Sequence, residues 1–512
     1  MIRLNRFKRK LGLLLNKLKK LFLSYEKTGV IFFLLLYFLI LFFPALRHSK
    51  FWSDDWALYW DTRSNGNEIM NATVSNGRPI LGWLLRSAYS TSFLSNHLII
   101  LQLLSIAGIF LLGISIYSRM RASQFSFLAS LILVLGVGLL PGFQEYVYFI
   151  SCFAYSWACF FGFLSCSLLN SDRVIIKFLG VSLLTLAFLI YPVGAIFYFL
   201  SLYIEYLESV NESIPIVRYL KGIQKKIYGF LVSLILSLLI ALLISRILDI
   251  RAATRVHLVD TFALALAKIE WILTRLFVSE FRIFSTVSPT PTQAALEFCL
   301  IFIPISIALL APLRELNSKK FFQYCLIITF PLFGSLPNLI ISENQFEYRT
   351  LTAFYAMALL MWIFSVTRIL NLAMNRKPEG LSQPVRFRNL TILSVSSLIA
   401  VQFGQTQADS NRLWISPSTT RDVITNSVID RVGILPPSNV CLVIPIDLYS
   451  QIPRMGIYSM KSDLVSGWVP DPYIRISLEK RSIIFRGKVE VVKSALGCPV
   501  NYLIFDYSEL AN

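Results

Sequence analysis

The sequence predicts an all-α polytopic membrane protein with about 11 transmembrane helices and a small C-terminal α/β domain. Hydrophobic residues make up 55% of the 512 residues and charged residues only 15%, a composition that excludes an ordinary soluble globular chain. Apolar runs long enough to cross a bilayer recur through residue 404. From residue 405 onward the pattern changes to short strands and turns, enough for one small domain.

The predicted elements follow in chain order. Residues 1–28 are basic and amphipathic, which predicts a helix on the cytoplasmic membrane surface and no cleaved signal peptide. The predicted spans lie near residues 29–47, 97–118, 124–141, 147–168, 175–191, 193–207, 229–248, 294–313, 321–341, 351–372 and 389–404. They define a membrane domain over residues 29–404. Residues 405–512, with strands VCLVIPI and NYLIF and a helix near residues 421–431, form the C-terminal domain.

Basic residues set the predicted orientation. The formal net charge is +19, which in a membrane protein marks the cytoplasmic side and does not indicate nucleic acid. If the chain turns back at Tyr191 and Pro192, every Lys/Arg-rich stretch falls on one side. A single long helix at this point would reverse all later loops. The hairpin interpretation places the N-terminus in the cytoplasm and the loop 48–96 and the C-terminal domain on the outer face.

Three further segments are predicted on this outer face, which gives five with the loop 48–96 and the C-terminal domain. In the loop 48–96, Ser53 and Asp54 are N-cap candidates for a helix through Leu58, and a second surface helix starts at Pro79. Two short connections, PGFQEYVYF and SENQFEYRTL, return the chain to the membrane. The loop 249–293 adds a third surface helix. Because sites are commonly built on loops held by a rigid scaffold, the chemistry is expected on this face.

The segment FWSDDWALYW, residues 51–60, places two carboxylates among three tryptophans. Tryptophans gather at the bilayer surface because the ring is apolar and the N–H is not. The carboxylates need another explanation, since a charge near a low-dielectric surface is costly and its pKa rises toward a range useful for proton transfer. Asp54 or Asp55 is therefore predicted to be a catalytic base beside the substrate-binding Trp56. The alternative is a solvated capping pair.

Outer-face arginines are candidates for holding a phosphate, because the planar guanidinium binds two oxygens at once. Arg78 in NGRP and Arg349 in FEYRTL are assigned to substrate binding. Arg78 can instead be an interfacial side chain. Arg349 can instead pair with Glu347 or Glu343. Glu347 and Glu145, in QEYVYF, complete the predicted substrate site.

Cysteines and metal-ligand patterns add little. The seven cysteines include no CxxC or Cys/His cluster, so no metal and no cofactor are predicted, although a divalent cation at the paired aspartates stays an alternative. No Gly-rich nucleotide loop occurs, which favours a lipid-linked donor. Cys441 and Cys498 lie in the C-terminal domain, and a disulfide between them is an option if that domain is exported.

The motifs FWSDDW and NGRPIL resemble the bacterial serotype-converting glucosyltransferases that modify O-antigen, and through them the C-type (GT-C) polytopic membrane glycosyltransferases. The resemblance rests on Asp54, Asp55, Gly77, Arg78 and Pro79, and on the span pattern through about residue 400. It implies an inner-membrane enzyme with a periplasmic C-terminal domain. The implied donor is polyprenyl phosphate glucose, the acceptor is lipopolysaccharide O-antigen or another surface glycan, and a flippase and a donor synthase are implied partners. Asp54 or Asp55 would be the base of an inverting transfer.

Two rival functions remain. A flippase for lipid-linked sugars should carry ionisable residues along its spans, and the predicted spans contain few. A polysaccharide polymerase or ligase should carry functional arginines in a long outer loop. The loop 249–293, with Arg251, Arg255, Arg275 and Arg282, keeps that possibility open.

Overall fold

The computed structural model describes residues 28–49, 51, 54–64, 66–90, 94–211, 216–251, 260–271, 303, 306, 318–340, 348–375, 401–408, 416–432, 439–444, 470–479 and 481–507. These residues are mostly helical, with one small sheet. The predicted N-terminal surface helix lies outside them, as do nearly all of the predicted span 294–313 and most of the span 389–404. The same holds for most of the loop 249–293.

Apolar helices build the membrane domain. Their bounds are α1 Thr28–Leu41, α2 Phe43–Arg47, α6 Leu94–Ala122, α7 Phe127–Leu139, α8 Pro141–Tyr148, α9 Tyr155–Leu169, α10 Val174–Ile190, α11 Pro192–Ala195, α12 Phe197–Asn211, α13 Ile216–Ile247, α14 Phe262–Trp271, α15 Ser318–Thr329, α16 Leu336–Ile340, α17 Tyr348–Asn375 and α18, residues 401–408. Short 3-10 helices precede α9 and join α15 to α16. Within the described part of the chain, six helices, or seven if one bent pair is counted, are long and apolar enough to cross a membrane.

The bent pair is α7 with α8, which meet at an angle of 51°. Pro141 starts α8, where its missing N–H is tolerated, and every residue from Pro141 to Tyr148 is buried. The segment PGFQEYVYF is therefore a buried helix where the sequence interpretation predicted a short turn. The segment is a buried helix because six of its eight residues are aromatic, aliphatic, proline or glycine, and the two polar ones, Gln144 and Glu145, are accommodated inside.

The predicted reversal at Tyr191 and Pro192 is present. Tyr191 has an extended backbone (φ −154°, ψ 101°) between α10 and α11. Gly180 of α10 lies against the C-terminal end of α9, whereas Tyr191 stacks on Tyr155 at its N-terminal end. The chain then returns along α9, with Ala195 against Gly162. Two antiparallel helices therefore flank α9, and one long helix is excluded.

Three helices fill the segment between α2 and α6, one more than predicted for the loop 48–96. They are α3 Asp54–Arg63, α4 Glu68–Ser75 and α5 Pro79–Ser90. The buried carboxylate of Asp61 caps α4 by accepting the backbone N–H groups of Glu68 and Ile69 at 3.2 and 2.9 Å. Asp61 thus has the capping role that the sequence interpretation considered as the alternative for Asp54 and Asp55.

The C-terminal domain contains α19 Ser416–Val432, β1 Val440–Val443, α20 Pro470–Glu479, β2 Val489–Val492 and β3 Leu503–Asp506. The strands form a parallel sheet in the order β2-β1-β3, with Val440 opposite both Val489 and Leu503. The predicted strands and helix are confirmed, and β2 and α20 are additional. A disulfide joins Cys441 in β1 to Cys498.

Candidate functional site

Asp55 is a buried anchor of the surface helix α3. Its carboxylate has no exposed surface and accepts three hydrogen bonds. The donors are the Tyr89 hydroxyl at 2.8 Å and the backbone N–H groups of Ser151 and Ile150 at 2.8 and 3.3 Å. These N–H groups open the 3-10 helix before α9, where backbone donors lack internal partners. Asp55 therefore ties α3 to the membrane helices and offers no surface to a substrate.

Asp54 is the first residue of α3, and its side chain lies outside the described part of the structure. The helix runs on to Arg63, beyond the end predicted near Leu58. The structure therefore distinguishes the two candidate bases. The Asp55 carboxylate accepts three hydrogen bonds inside the protein, so Asp54 is the remaining candidate for a catalytic role.

Arg78 follows a tight turn at the start of α5. Gly77 has φ +71°, a backbone conformation that glycine adopts without strain, and the Arg78 N–H closes the turn on the Thr73 carbonyl at 2.9 Å. The guanidinium lies 5.4 Å from the centre of the Tyr191 ring. Its Nε is buried and has no hydrogen-bond partner, and no described carboxylate pairs with it. A half-buried cation is thus held over an aromatic ring, and no carboxylate in the described part of the chain pairs with it.

Tyrosines form the floor under Arg78. Tyr155 and Tyr191 stack with centroids 3.8 Å apart, and Tyr146 meets both rings edge-on. The hydroxyls of Tyr146 and Tyr191 donate to the carbonyl of Arg349 at 2.9 and 3.2 Å. Both bonds fix the first turn of α17. The tyrosines therefore link α8, α9, the hairpin and α17 at one point.

Arg349 and Glu145 form an ion pair at this point. Arg349 Nη1 lies 3.5 Å from Glu145 Oε1, and the Glu145 side chain is almost fully buried while that of Arg349 is 27% exposed. A buried carboxylate needs such a partner. Both Arg349 and Arg78 interact electrostatically with the hydroxyls of Tyr155 and Tyr191. The structure thus brings together Arg78, Arg349 and Glu145, which the sequence placed in three separate loops. Glu347 lies outside the described residues.

Trp56 does not face this floor. Its ring is 4% exposed and packs edge-on against Tyr473 of the C-terminal domain with centroids 4.9 Å apart. The Arg421 guanidinium lies 5.6 Å from the Trp56 ring centre and 4.7 Å from that of Tyr473. Burial raises the pKa of Tyr473 to about 12, with Arg421 acting in the opposite direction. The prediction that Trp56 binds substrate is corrected, since its ring is covered by protein.

A second charged cluster lies at the opposite end of the spans. Glu205 of α12 pairs with Arg119 of α6 and with Lys226 of α13, and all three lie inside apolar stretches that are candidate spans. The sequence interpretation assigned Arg119 and Lys226 to basic stretches at the ends of spans and did not predict their pairing with Glu205. That pairing joins residues of three different helices, so it depends on how the helices pack.

Other findings set the limits of the site. No group of three His, Cys, Asp or Glu side chains in the portion described by the structure is arranged to hold a metal ion. No family model matches the chain, and no curated protein matches it significantly.

The sequence interpretation missed Tyr146, Tyr155 and Tyr191. The sequence contained a signal for one of them. Tyr191 directly precedes Pro192, at which the chain turns back, and a residue before proline is restricted to extended conformations.

Proposed function

We propose that this protein is a membrane glycosyltransferase that moves a sugar from a polyprenyl phosphate carrier to a glycan acceptor, as the families it resembles do. One observation carries the proposal: the half-buried guanidinium of Arg78 lies over Tyr191, and no carboxylate among the described residues pairs with it. The Arg349 side chain, paired with Glu145, interacts with the same Tyr191 ring. A cation held in this way favours an anionic ligand, such as the phosphate of a lipid-linked sugar.

The charges match a phosphate leaving group. Glu145 neutralises Arg349 in part, so the cluster of Arg78, Arg349 and Glu145 keeps one net positive charge. A phosphate monoester has a second pKa of about 6, and cations that stabilise its developing charge remove the need for a general acid. Arg78 and Arg349 are therefore assigned to the phosphate, and the tyrosine floor holds Arg78 in place.

Asp54 is assigned as the general base. In the proposed step the acceptor hydroxyl oxygen forms a bond to the anomeric carbon, and the bond from that carbon to the phosphate oxygen breaks. The phosphate leaves with the electron pair, and Asp54 takes the hydroxyl proton. Direct displacement of this kind inverts the anomeric configuration. Asp55 holds the helix that presents Asp54.

Sidedness is supported by charge and by the disulfide. Arg119, Arg121, Lys225 and Lys226 lie at the end of the spans away from Arg78 and Arg349, which favours a cytoplasmic location for that end. The disulfide between Cys441 and Cys498 favours an oxidising compartment for the C-terminal domain. We assign the site to the periplasmic face of a bacterial inner membrane.

Transfer from labelled polyprenyl phosphate sugars tests the proposal. Purified protein in liposomes is incubated with polyprenyl phosphate glucose and an acceptor glycan, and glycan-bound label is measured for wild type and Asp54→Asn. Wild type should transfer label with inversion, and Asp54→Asn should not. Absence of transfer by wild type from a panel of polyprenyl phosphate sugars and glycans would contradict the proposal.

Glu205 favours one alternative, a flippase for lipid-linked sugars, because it adds an ionisable side chain within a candidate span. Charges inside spans are costly and commonly mark transport pathways. The same liposomes distinguish the two functions, because a flippase changes the leaflet of the donor without changing the glycan. Of the arginines that would support a polymerase or ligase in the loop 249–293, only Arg251 lies among the described residues.

A further inference from the structure

One face of α3 is covered by the C-terminal domain along its length. Trp56, Trp60 and Arg63 recur at helical spacing and lie on the same side of α3. Trp56 packs on Tyr473, the Arg475 guanidinium lies 5.8 Å from the Trp60 ring centre, and Arg63 pairs with Glu479 at 2.5 Å. Three residues of α20 therefore contact three turns of the helix that carries Asp54.

Arg421 is the centre of this contact. Its side chain is 3% exposed, pairs with Asp422 at 3.2 Å, and lies over the rings of both Trp56 and Tyr473. A guanidinium shared between rings of two domains is a cation–π contact removed from water, the strongest form of this interaction. Behind it, the Thr425 hydroxyl bonds the hydroxyls of Tyr473 and Tyr507 at 2.6 and 2.9 Å, which fixes the ring on which Arg421 rests.

The location of this network within its domain points to a functional contact. Tyr507 directly follows β3, so the network lies at the carboxyl end of the parallel strands. Open α/β sheets bind their ligands at this edge. The contact with α3 is made beside this end of the sheet, through Arg421 and Tyr473.

The opposite constraint on α3 comes from Asp55, which is bonded to Tyr89, Ile150 and Ser151. The helix is therefore held through Asp55 by α5 and by the 3-10 helix that precedes α9. The C-terminal domain holds it through Trp56, the residue directly after Asp55. Asp54 precedes both. We propose that Arg421 is a positioning residue, through which the C-terminal domain sets the placement of α3 and of its catalytic carboxylate; this rests on the proposed function.

The test compares Arg421→Gln and Arg421→Lys with Arg481→Gln in the full-length protein in liposomes. Arg481 also lies in the C-terminal domain and pairs with Asp430 at 3.1 Å, with both side chains about half exposed. Because misplacement of a catalytic group by about 1 Å costs up to about 100-fold, Arg421→Gln should lower kcat for sugar transfer by about 10- to 100-fold and leave KM for the polyprenyl phosphate donor unchanged. Arg421→Lys should recover part of kcat, and Arg481→Gln should match wild type.

Hydrogen exchange of α3 supplies a readout that does not need activity. In Arg421→Gln, amides of residues 54–63 should exchange about tenfold faster, as expected for loss of a desolvated cation–π contact, with the sheet still protected. Unchanged exchange of α3, or a loss confined to KM, overturns the inference. Inactive wild type contradicts the proposed function, whereas the exchange result still decides whether Arg421 holds α3. If Arg421→Gln is not recovered as folded protein, Trp56→Leu removes the same contact from the α3 side and should give the same two results.

Discussion

Tyr191 stacks face to face on Tyr155, with ring centroids 3.8 Å apart and planes within 5°. Tyr191 lies in the break between α10 and α11, and Tyr155 is the first residue of α9. Their stack therefore joins a helix break to a helix start, and it supports Arg78 at 5.4 Å from the Tyr191 ring centre. The geometry of these rings decides where the Arg78 guanidinium lies.

Replacement of Arg78 should abolish most of the activity. Arg78→Ala removes a positioned cation from the phosphate, and the loss of one such group costs about 100- to 1,000-fold in kcat. Arg78→Lys should recover little, because an ammonium lacks the planar fork that binds two phosphate oxygens. Steady-state sugar transfer measures both variants.

Arg86 offers the matched control for Arg78. It lies on the same helix α5, is exposed, and donates to the Asn67 side chain at 3.0 Å. Arg86→Ala should transfer sugar at the wild-type rate. An equal loss in both variants would show that charge on α5 matters in general, and would contradict a phosphate contact specific to Arg78.

Replacement of Asp55 should lower the stability of the protein, whereas replacement of Asp54 should lower its transfer activity. Asp55→Asn places an amide N–H₂ among three donors and should destabilise the protein by about 1–3 kcal/mol, visible as a lower Tm in detergent. Asp54→Asn should keep the Tm and lose transfer by about 100- to 10,000-fold. Wild-type transfer by Asp54→Asn would remove Asp54 from the mechanism.

Close packing of the hairpin on α9 should make Gly162 intolerant of substitution. A Cβ at Gly162 would lie 2.6 Å from the Ala195 carbonyl oxygen, a backbone atom that cannot rotate away. Gly162→Ala should therefore destabilise by about 1–3 kcal/mol. Gly222→Ala is the control, because nothing lies within 4 Å of its added Cβ, and it should leave Tm unchanged or raise it slightly.

The disulfide between Cys441 and Cys498 should form in cells. Whole protein denatured without reductant should gain two maleimide labels after reduction, and Cys441→Ser should lose this gain. A reporter that is active only in the periplasm should be active when fused after Asn512, and a reporter that is active only in the cytoplasm should not. Full labelling before reduction would place the C-terminal domain in a reducing compartment and reverse the assigned orientation.

Tyr473 should weaken the C-terminal domain at alkaline pH. Burial raises its pKa from 10.0 to about 12, so the folded state binds this proton more tightly than the unfolded state. The stability contribution is present below pH 10 and is lost as the pH rises toward 12. Tyr473→Phe should show a smaller loss of Tm over this range, and an identical loss would argue against ionisation of Tyr473.

Local patterns predicted much of the architecture. The proline and the basic loops gave the hairpin, and Gly77 with Pro79 gave the turn and start of α5. The buried helix α8 was predicted as a turn because it begins with proline and glycine, which are also the residues that mark turns. The pairing of Arg349 with Glu145 could not be predicted, because two glutamates, Glu343 and Glu347, lie much closer to Arg349 in the sequence.

By itself, the sequence determined that this chain is a membrane-type helical protein with a small terminal α/β domain, and it singled out Asp54, Asp55, Arg78, Arg349 and Glu145. Composition and periodicity are sufficient for this, because a membrane-spanning helix or a buried strand requires a run of apolar residues that is visible in the local sequence. Only the tertiary structure decided that Asp55 is a buried anchor, that Arg78 lies over Tyr191, and that Trp56 meets Arg421. Those contacts join residues far apart in the chain, so their geometry depends on how the helices pack.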